Sequence, residues 1–482
     1  MKKILSAILL GLPLAAMAQT GQPWIHDPST LAECDGKYYT FGTGGGGLIS
    51  DDGWSWHGGG VRPGGGAAPD VIKIGDRYLV VYGATGGGLG GGHNGRILTM
   101  WNKTLDPRSP DFRYTEPVEV ASSDGLEDND AIDPGVLLDP TDGRMWVSYG
   151  TYFGNIRLIE LDPKTGFRVK GNKAVDIAID CEATDLIYRD GYYYLLGTHG
   201  TCCDGVNSTY NIVCGRSRNV TGPYMDNVGR SMLEGGGKMV AGAEPRRVGA
   251  GHFGRTVVDE GVEVASFHYE ADFDRSGHSV LAVRPLLWKD GWPTVGRSFR
   301  EGKYSILSCR REYALELAVD FVRIERKNRM GWHNISPDAP LERIPDQTLD
   351  EVGASWPEGG IGVRTGDNMF RPHQLWNIEA VPGAGGYLSN PYFKITIAGT
   401  DRALCATGDM EVASVPAFTG ADSQLWRIEQ LTDGTFRIMP KGIPGQPGIN
   451  KKYVLYSVGD STPTLAPYDF GTDNSKWIFS GE

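Results

Sequence analysis

Ile25-His26-Asp27-Pro28, with Gly36-Lys37-Tyr38-Tyr39 about ten residues later, is the stretch whose reading decides the fold, because the pairing recurs. Ala68-Pro69-Asp70-Val71 precedes Gly75-Asp76-Arg77-Tyr78, and Ala131-Ile132-Asp133-Pro134-Gly135 precedes Asp142-Gly143-Arg144-Met145-Trp146. Cys181-Glu182-Ala183-Thr184 precedes Asp190-Gly191-Tyr192-Tyr193-Tyr194, and Ala250-Gly251-His252-Phe253 precedes Glu260-Gly261-Val262-Glu263. Each copy is a turn carrying an ionisable residue, followed by a strand rich in aromatic and branched side chains. A turn and an alternating strand repeated at this length mark radially arranged sheets. Five copies predict an all-β, five-bladed β-propeller.

In such a fold, equivalent positions in every blade lie equally far from the axis. Asp27, Asp70, Asp133, Glu182 and His252 are therefore expected around one central pocket. A lone aspartate beside proline is ordinarily a turn residue bonding its own backbone. Recurrence in phase with the blades argues for more, since a turn residue has no reason to keep that register. Carboxylates gathered in a cleft are the equipment of glycoside hydrolysis, one acting as acid and another as base or nucleophile. Crowding or desolvation raises the pKa of one while a better stabilised partner stays ionised. The competing reading is a hard-cation site, which carboxylates spread over separate blades suit less well.

A longer ordered match carries a resemblance. Asn129-Asp130-Ala131-Ile132-Asp133-Pro134-Gly135 leads to Gly150-Thr151-Tyr152-Phe153-Gly154-Asn155-Ile156, and Asp190-Gly191-Tyr192-Tyr193-Tyr194-Leu195 continues through Cys202-Cys203-Asp204-Gly205-Val206-Asn207-Ser208-Thr209-Tyr210 to Thr221-Gly222-Pro223-Tyr224. Over about residues 23–295 the chain resembles glycoside hydrolase family 43, and within it the arabinan-degrading members. The resemblance implies an inverting hydrolase with Asp27 as general base, Glu182 as general acid and Asp133 raising the pKa of Glu182 and orienting it. It implies sugar contacts from Asp70, Phe153 and Asn155, and a hydrated metal ion, usually calcium, at His252. The expected partner is a plant cell-wall arabinan or arabinose-containing oligosaccharide. The alternatives are a xylosidase or galactanase of the same family, and a non-catalytic sugar-binding propeller. The chain departs from many arabinanases in following Glu182 with Ala183-Thr184 rather than Ala-Pro, and in glycine tracts at 44–47, 58–66 and 86–92 that bear on endo against exo action.

Lys2-Lys3, an apolar run over 4–16 and Ala16-Met17-Ala18 read as a cleaved signal peptide over 1–18, giving a periplasmic or secreted protein. No later run is long enough to span a membrane. A net charge of −12 argues against nucleic acid or anionic membrane as a partner, and a monomer is expected. With seven cysteines, too few for a disulfide scaffold, the adjacent Cys202 and Cys203 read equally as a vicinal disulfide, which the resemblance also suggests, or as packed thiols.

The catalytic module is assigned to residues 19–300 and a second module to 301–482. Its sign is another repeat: Gln374-Leu375-Trp376, Gln424-Leu425-Trp426 and Ser475-Lys476-Trp477. Even spacing of these tryptophans resembles the ricin-type β-trefoil, a lectin-like fold in which they belong to the core. Whether the module binds sugar stays open from the residues alone.

Overall fold

The structure, a computed structural model, describes residues 19–61, 66–84, 95–123, 131–319, 356–446, 452–459 and 462–481. The expected signal peptide over 1–18, Asn129-Asp130, the glycine tract 86–92 and part of the tract 58–66 lie outside these residues. Two compact units are present. The first runs to Phe299 and also takes in two later segments, Gly385–Pro391 and Glu429–Gly434; the second holds the rest, starting at Arg300.

The first unit is a five-bladed propeller. Its blades are antiparallel sheets that begin on Ala32–Cys34, Ala67–Ile74, Gly135–Leu138, Glu182–Arg189 and Arg247–Asp259, each followed by its aromatic strand: Lys37–Phe41, Arg77–Gly83, Met145–Tyr149, Tyr192–His199 and Val262–Asp272. Tight turns join several of these pairs. At Asp35-Gly36 and Asp190-Gly191, and at Asp290-Gly291 between the last two strands of the fifth blade, both residues have positive φ, the mirror-image turn whose twist matches the flanking strands and which favours Asp-Gly.

Aromatic strands lie between neighbouring blades, so both of their faces are apolar. In Tyr192–His199, Tyr193 and Leu195 pack with Trp146, Ile156 and Leu158 of the third blade. The alternate residues Tyr194 and Leu196 pack with Phe253, Phe267 and Ala282 of the fifth. This is the period of two expected of a strand. The junctions between the first and second blades and between the second and third are filled in the same way.

The ring closes where Ile25, Leu31, Leu48 and Trp56 of the first blade meet Val264, Leu281 and Val283 of the fifth. Pro23 accepts a hydrogen bond from the Leu281 N–H at 2.8 Å, and Thr20–Gly21 pairs in parallel with the outer strand of the first blade. Leu388, 1% exposed, completes this junction. It stands in the tight hairpin formed by Gly386–Tyr387 and Asn390–Pro391, with its N–H on the Asp52 carbonyl and its own carbonyl on Gln19 Nε2.

In the second unit, each of the three expected motifs ends a single 3-10 turn and starts a strand on its tryptophan: Trp376–Ala380, Trp426–Gln430 and Trp477–Gly481. The three indoles are 0% exposed and donate to the carbonyls of Leu315, Leu404 and Leu455. Gln374 and Gln424 fasten the preceding loop by accepting from the Met369 and Thr419 N–H groups while donating to the Asp367 and Ala417 carbonyls. Ser475, in place of glutamine, keeps only donation, to the carbonyls of Asp469 and Thr472.

Candidate active site

A shared backbone kink builds the site. Asp27, Ala68, Asp133, Ala183 and His252, one in each blade near its innermost strand, all adopt positive φ between 44° and 62°. Aspartate and histidine tolerate this left-handed region better than most residues, whereas alanine does so rarely. Aligned on the kink, the five expected site residues are not equivalent. Asp27, Asp133 and His252 occupy it, Glu182 precedes it by one residue and Asp70 follows it by two.

Asp70 is therefore the counterpart of Asp185, not of Asp27. Its carboxylate accepts the Thr30 N–H at 3.1 Å and the Val136 N–H at 3.0 Å, bonding to the first and third blades. Both oxygens thus tie neighbouring blades together. In the first, third and fifth blades the same offset falls on Ser29, Gly135 and Gly254; a Cβ at Gly135 would lie 2.0 Å from the Thr184 carbonyl oxygen.

The base side of the site is cationic. His26 Nδ1 lies 2.9 Å from Asp27 Oδ2, and His26 Nε2 lies 2.9 Å from Glu270 Oε1. Burial alone would lower the His26 pKa, but hydrogen bonds to the two carboxylates outweigh it and raise the value to about 10. His26 is thus an imidazolium at neutral pH. Asp27 is held well below the usual carboxylate range: burial opposes this, and His252 and His26 overcome it. Glu270 is lowered to about 2, with burial again opposing and His26 and His268 prevailing. His268 accepts the Asp27 N–H on Nδ1 at 2.9 Å. Its proton therefore sits on Nε2, toward Glu270 Oε1 at 3.6 Å, and burial plus the charge of His26 keep its pKa low.

Asp27 Oδ2 also accepts from Thr43 Oγ1 at 2.5 Å. Oδ1 has looser neighbours, His252 Nδ1 at 3.6 Å and His268 Nδ1 at 3.9 Å, both beyond hydrogen-bond range. The carboxylate is thus fixed through one oxygen and leaves the other for a water.

The acid side is desolvated. Glu182 is 6% exposed and its pKa is raised to about 7; burial is the main cause and the charges of Asp27 and Glu270 add to it, while a hydrogen bond from the Tyr210 hydroxyl works the other way. Asp133 is raised well above the carboxylate range by burial and by the charges of Glu182 and Asp27. Gly251 makes room here, since a Cβ would stand 2.7 Å from the Tyr210 ring. Thr184, where many arabinanases have proline, donates from its hydroxyl to Ser148 Oγ at 2.9 Å, a bond that proline could not make.

Of the remaining expected residues, Phe153 is 42% exposed with its ring 4.5 Å from that of Tyr152. Tyr152 feels the acids: after burial, the charges of Glu182 and Asp133 raise its pKa. Asn155 donates to Asp176 Oδ2 at 3.3 Å. His252 is buried, its N–H donates to Thr198 Oγ1, and its Nδ1 has no hydrogen-bond partner. That orphan nitrogen suits a ligand to a cation. Among the described residues, the metal-capable side chains that gather within reach of one ion are instead His26, Asp27 and His268. Cys202 and Cys203 form a vicinal disulfide, and the Cys203 N–H donates to Glu270 Oε1 at 3.1 Å.

His26, Thr43, Tyr210, His268 and Glu270 are site residues that the sequence reading passed over. One signal was present. In the strand Val262–Asp272, Ser266, His268, Glu270 and Asp272 alternate with Ala265, Phe267, Tyr269 and Ala271, yet all eight are buried. A polar face on a wholly buried strand needs partners or a site.

This chain is 36% identical over 183 residues to the extracellular endo-alpha-(1->5)-L-arabinanase 1 of Bacillus subtilis, an alignment covering 36% of this chain and 54% of that protein. It is 31% identical over 245 residues to an extracellular exo-alpha-(1->5)-L-arabinofuranosidase of Cellvibrio japonicus, covering 47% and 69%. Thus the chain spans about half the length of the first relative and over two thirds of the second. Among solved structures, an exo-1,5-alpha-L-arabinanase from a bovine ruminal metagenomic library superposes with a TM-score of 0.53 at 32% identity, covering 58% of this chain and 99% of the other. The Cellvibrio cellulosa alpha-L-arabinanase complexed with arabinohexaose gives 0.52 at 28% identity, covering 57% and 95%. Residues 41–293 match the profile of the glycosyl hydrolases family 43, a span of the propeller that holds Glu182, Asp133 and His252 and begins after Asp27. By that match and by these relatives, the chain belongs to glycosyl hydrolases family 43.

Proposed function

We propose that this protein is an inverting glycoside hydrolase, secreted or periplasmic, that cleaves α-L-arabinofuranosyl linkages in arabinan or in arabinose-bearing oligosaccharides. One observation carries the reading: within a single site Asp27 is held ionised between His26 and His252, while Glu182 keeps its proton up to a pKa of about 7. An inverting hydrolase needs that pair at neutral pH. Asp27 Oδ1 takes a proton from water as the water oxygen bonds to the anomeric carbon. The glycosidic bond breaks, and the departing oxygen takes the proton of Glu182. Burial and the charges of Asp27 and Glu270 keep the acid protonated, and Asp133 is read as the residue that orients it. The enzymes named above act on 1,5-linked arabinan, which supports the choice of sugar.

Calcium at His252 belongs to the same reading. The unpartnered Nδ1 would be its one imidazole ligand, with water completing the shell, and the ion's charge would offset repulsion among the acids. The second unit is read as a β-trefoil on the strength of its three matching tryptophan segments. Product analysis on linear arabinan, branched arabinan, arabinoxylan and galactan tests the proposal. Arabinose or arabino-oligosaccharides from the first two support it and product lengths separate endo from exo action; release from galactan or arabinoxylan alone overturns the choice of substrate. Proton NMR during turnover must show the inverted anomer first, and retention would make Asp27 a nucleophile.

A further inference from the structure

A second cleft lies in the propeller unit, away from the acids. It has a volume of about 470 Å³ and is lined by Tyr192, Arg216, Arg218, Asn219, Asn227 and Trp292, among others. Tyr192 pairs with Arg189 at one end of the fourth blade's inner hairpin, while Glu182 pairs with Thr198 at the other. Eight residues of strand set the two ends roughly 23 Å apart at about 3.3 Å per residue.

The cleft is built on stacked cations. The Arg216 guanidinium lies 4.4 Å from the Trp292 ring centroid and 4.6 Å from that of Tyr192, and the Arg218 guanidinium lies 3.7 Å from Tyr192. Each arginine donates to a carbonyl in an Asp-Gly turn, Arg216 to Gly291 at 2.9 Å and Arg218 to Gly191 at 3.1 Å. A Cβ at either glycine would approach the guanidinium to 2.9 Å. Arg218 Nη2 also donates to the Tyr192 hydroxyl at 2.8 Å, which leaves the hydroxyl hydrogen free to donate.

Stacked arginines elsewhere in the propeller differ in their partners: Arg77, 3.7 Å from the Trp101 ring centroid, donates to the Lys164 carbonyl, whereas two others meet carboxylates. Arg144 stacks on Trp146 and pairs with Glu160, and Arg189 stacks on Trp288 and pairs with Glu263 and Asp190. Among the described residues neither Arg216 nor Arg218 has a carboxylate partner. Asp226, which also lines the cleft, has its oxygens on the N–H groups of Val228, Arg230 and Gly237. A guanidinium has five N–H donors, so beyond those given to the turn carbonyls and the Tyr192 hydroxyl each arginine has in-plane N–H groups that can meet a carboxylate.

We propose that this cleft is a secondary binding site for an acidic saccharide, a uronate unit of a polymer. Arg216 and Arg218 take the carboxylate, and the Tyr192 hydroxyl and the amides of Asn219 and Asn227 take sugar hydroxyls. The volume falls in the range of pockets that enclose a small organic ligand rather than a bare ion. In a protein of net charge −12, such a site gives the surface a local means of holding an anionic chain while the acids work elsewhere.

The test is calorimetric titration of the full-length protein at low ionic strength with trigalacturonate, with galactotriose as the neutral counterpart and inorganic phosphate as the bare anion. Saturable binding of trigalacturonate alone is expected, weakened at least tenfold in Arg216→Gln/Arg218→Gln and also in the exposed single variant Arg218→Gln. Hydrolysis of a short arabino-oligosaccharide should stay unchanged in both variants. Absence of binding by the wild-type protein overturns the proposal, as does galactotriose binding of equal strength. Phosphate displacing trigalacturonate mole for mole would reduce the cleft to an anion site and overturn the saccharide assignment. The wild-type comparison and the single variant decide the matter even if the double variant does not fold.

Discussion

Asp27 and Glu182 are both carboxyls, both largely withdrawn from water, and set to opposite protonation states. Asp27 sits between His26 and His252 and is ionised. Glu182 has Tyr210 as its neutral partner, with Asp27 and Glu270 as repelling charges, and holds its proton to a pKa of about 7. Burial pushes each of them the same way. The neighbours decide the outcome, and hence which residue is base and which is acid. His26 links the two sides: Asp27 and Glu270 share its single positive charge, without which two buried negative charges would crowd one site.

The comparison breaks most directly by removing each proton carrier. Asp27→Asn and Glu182→Gln keep shape and lose proton transfer, so each should lower kcat by about 10²–10⁴-fold with the fold intact by circular dichroism. Activity within about threefold of wild type in either variant would end the assignment of that residue. Next in size, His26→Ala removes the cation from the base side. The Asp27 pKa then rises, and because the base must be ionised, the acid limb of the pH–rate profile should move to higher pH. On that limb, below the Asp27 pKa, each unit of rise should lower kcat/KM about tenfold, while at neutral pH the base stays ionised. An unmoved acid limb would show that His26 does not set the charge of Asp27.

Tyr210→Phe sharpens the acid side. The lost hydrogen bond had favoured the ionised carboxylate, so the Glu182 pKa rises. Since the acid must be protonated, the alkaline limb, expected near pH 7 in the wild type, should move upward by up to about one unit. A downward move would mean that the hydroxyl stabilises the protonated acid. The smallest effect is expected from metal removal, because one imidazole and water hold an ion weakly. Chelation, or His252→Ala, should lower kcat or the melting temperature modestly, and a metal-free preparation unchanged in both would remove calcium from the reading.

How much of this was legible varied with the length scale. The alternating aromatic strands and their five recurrences are local and were plain in the chain. They suffice for a propeller because every blade obeys the same rules of turn and strand. The kink was not legible. Ala68 and Ala183 have no residue-type preference for positive φ, so aligning the motifs by their ionisable residues put Asp70 in the same class as Asp27. Only the backbone shows the offset of two residues that makes Asp70 a tie between blades. Glu270 was equally hidden: 244 residues separate it from His26, and nothing local in either segment names the other.

The sequence alone therefore determined the repeat, the alternating strands and the three acids carried by the motifs, since each depends on neighbours along the chain. Tertiary structure decided which acid is ionised, because a pKa is set by charges and desolvation from other strands. It also decided how the ring is closed: Leu388 fills the junction between the first and fifth blades from far beyond the last blade in sequence. A buried leucine in a tight hairpin carries no local mark of the surface that it covers; only the folded chain supplies that surface.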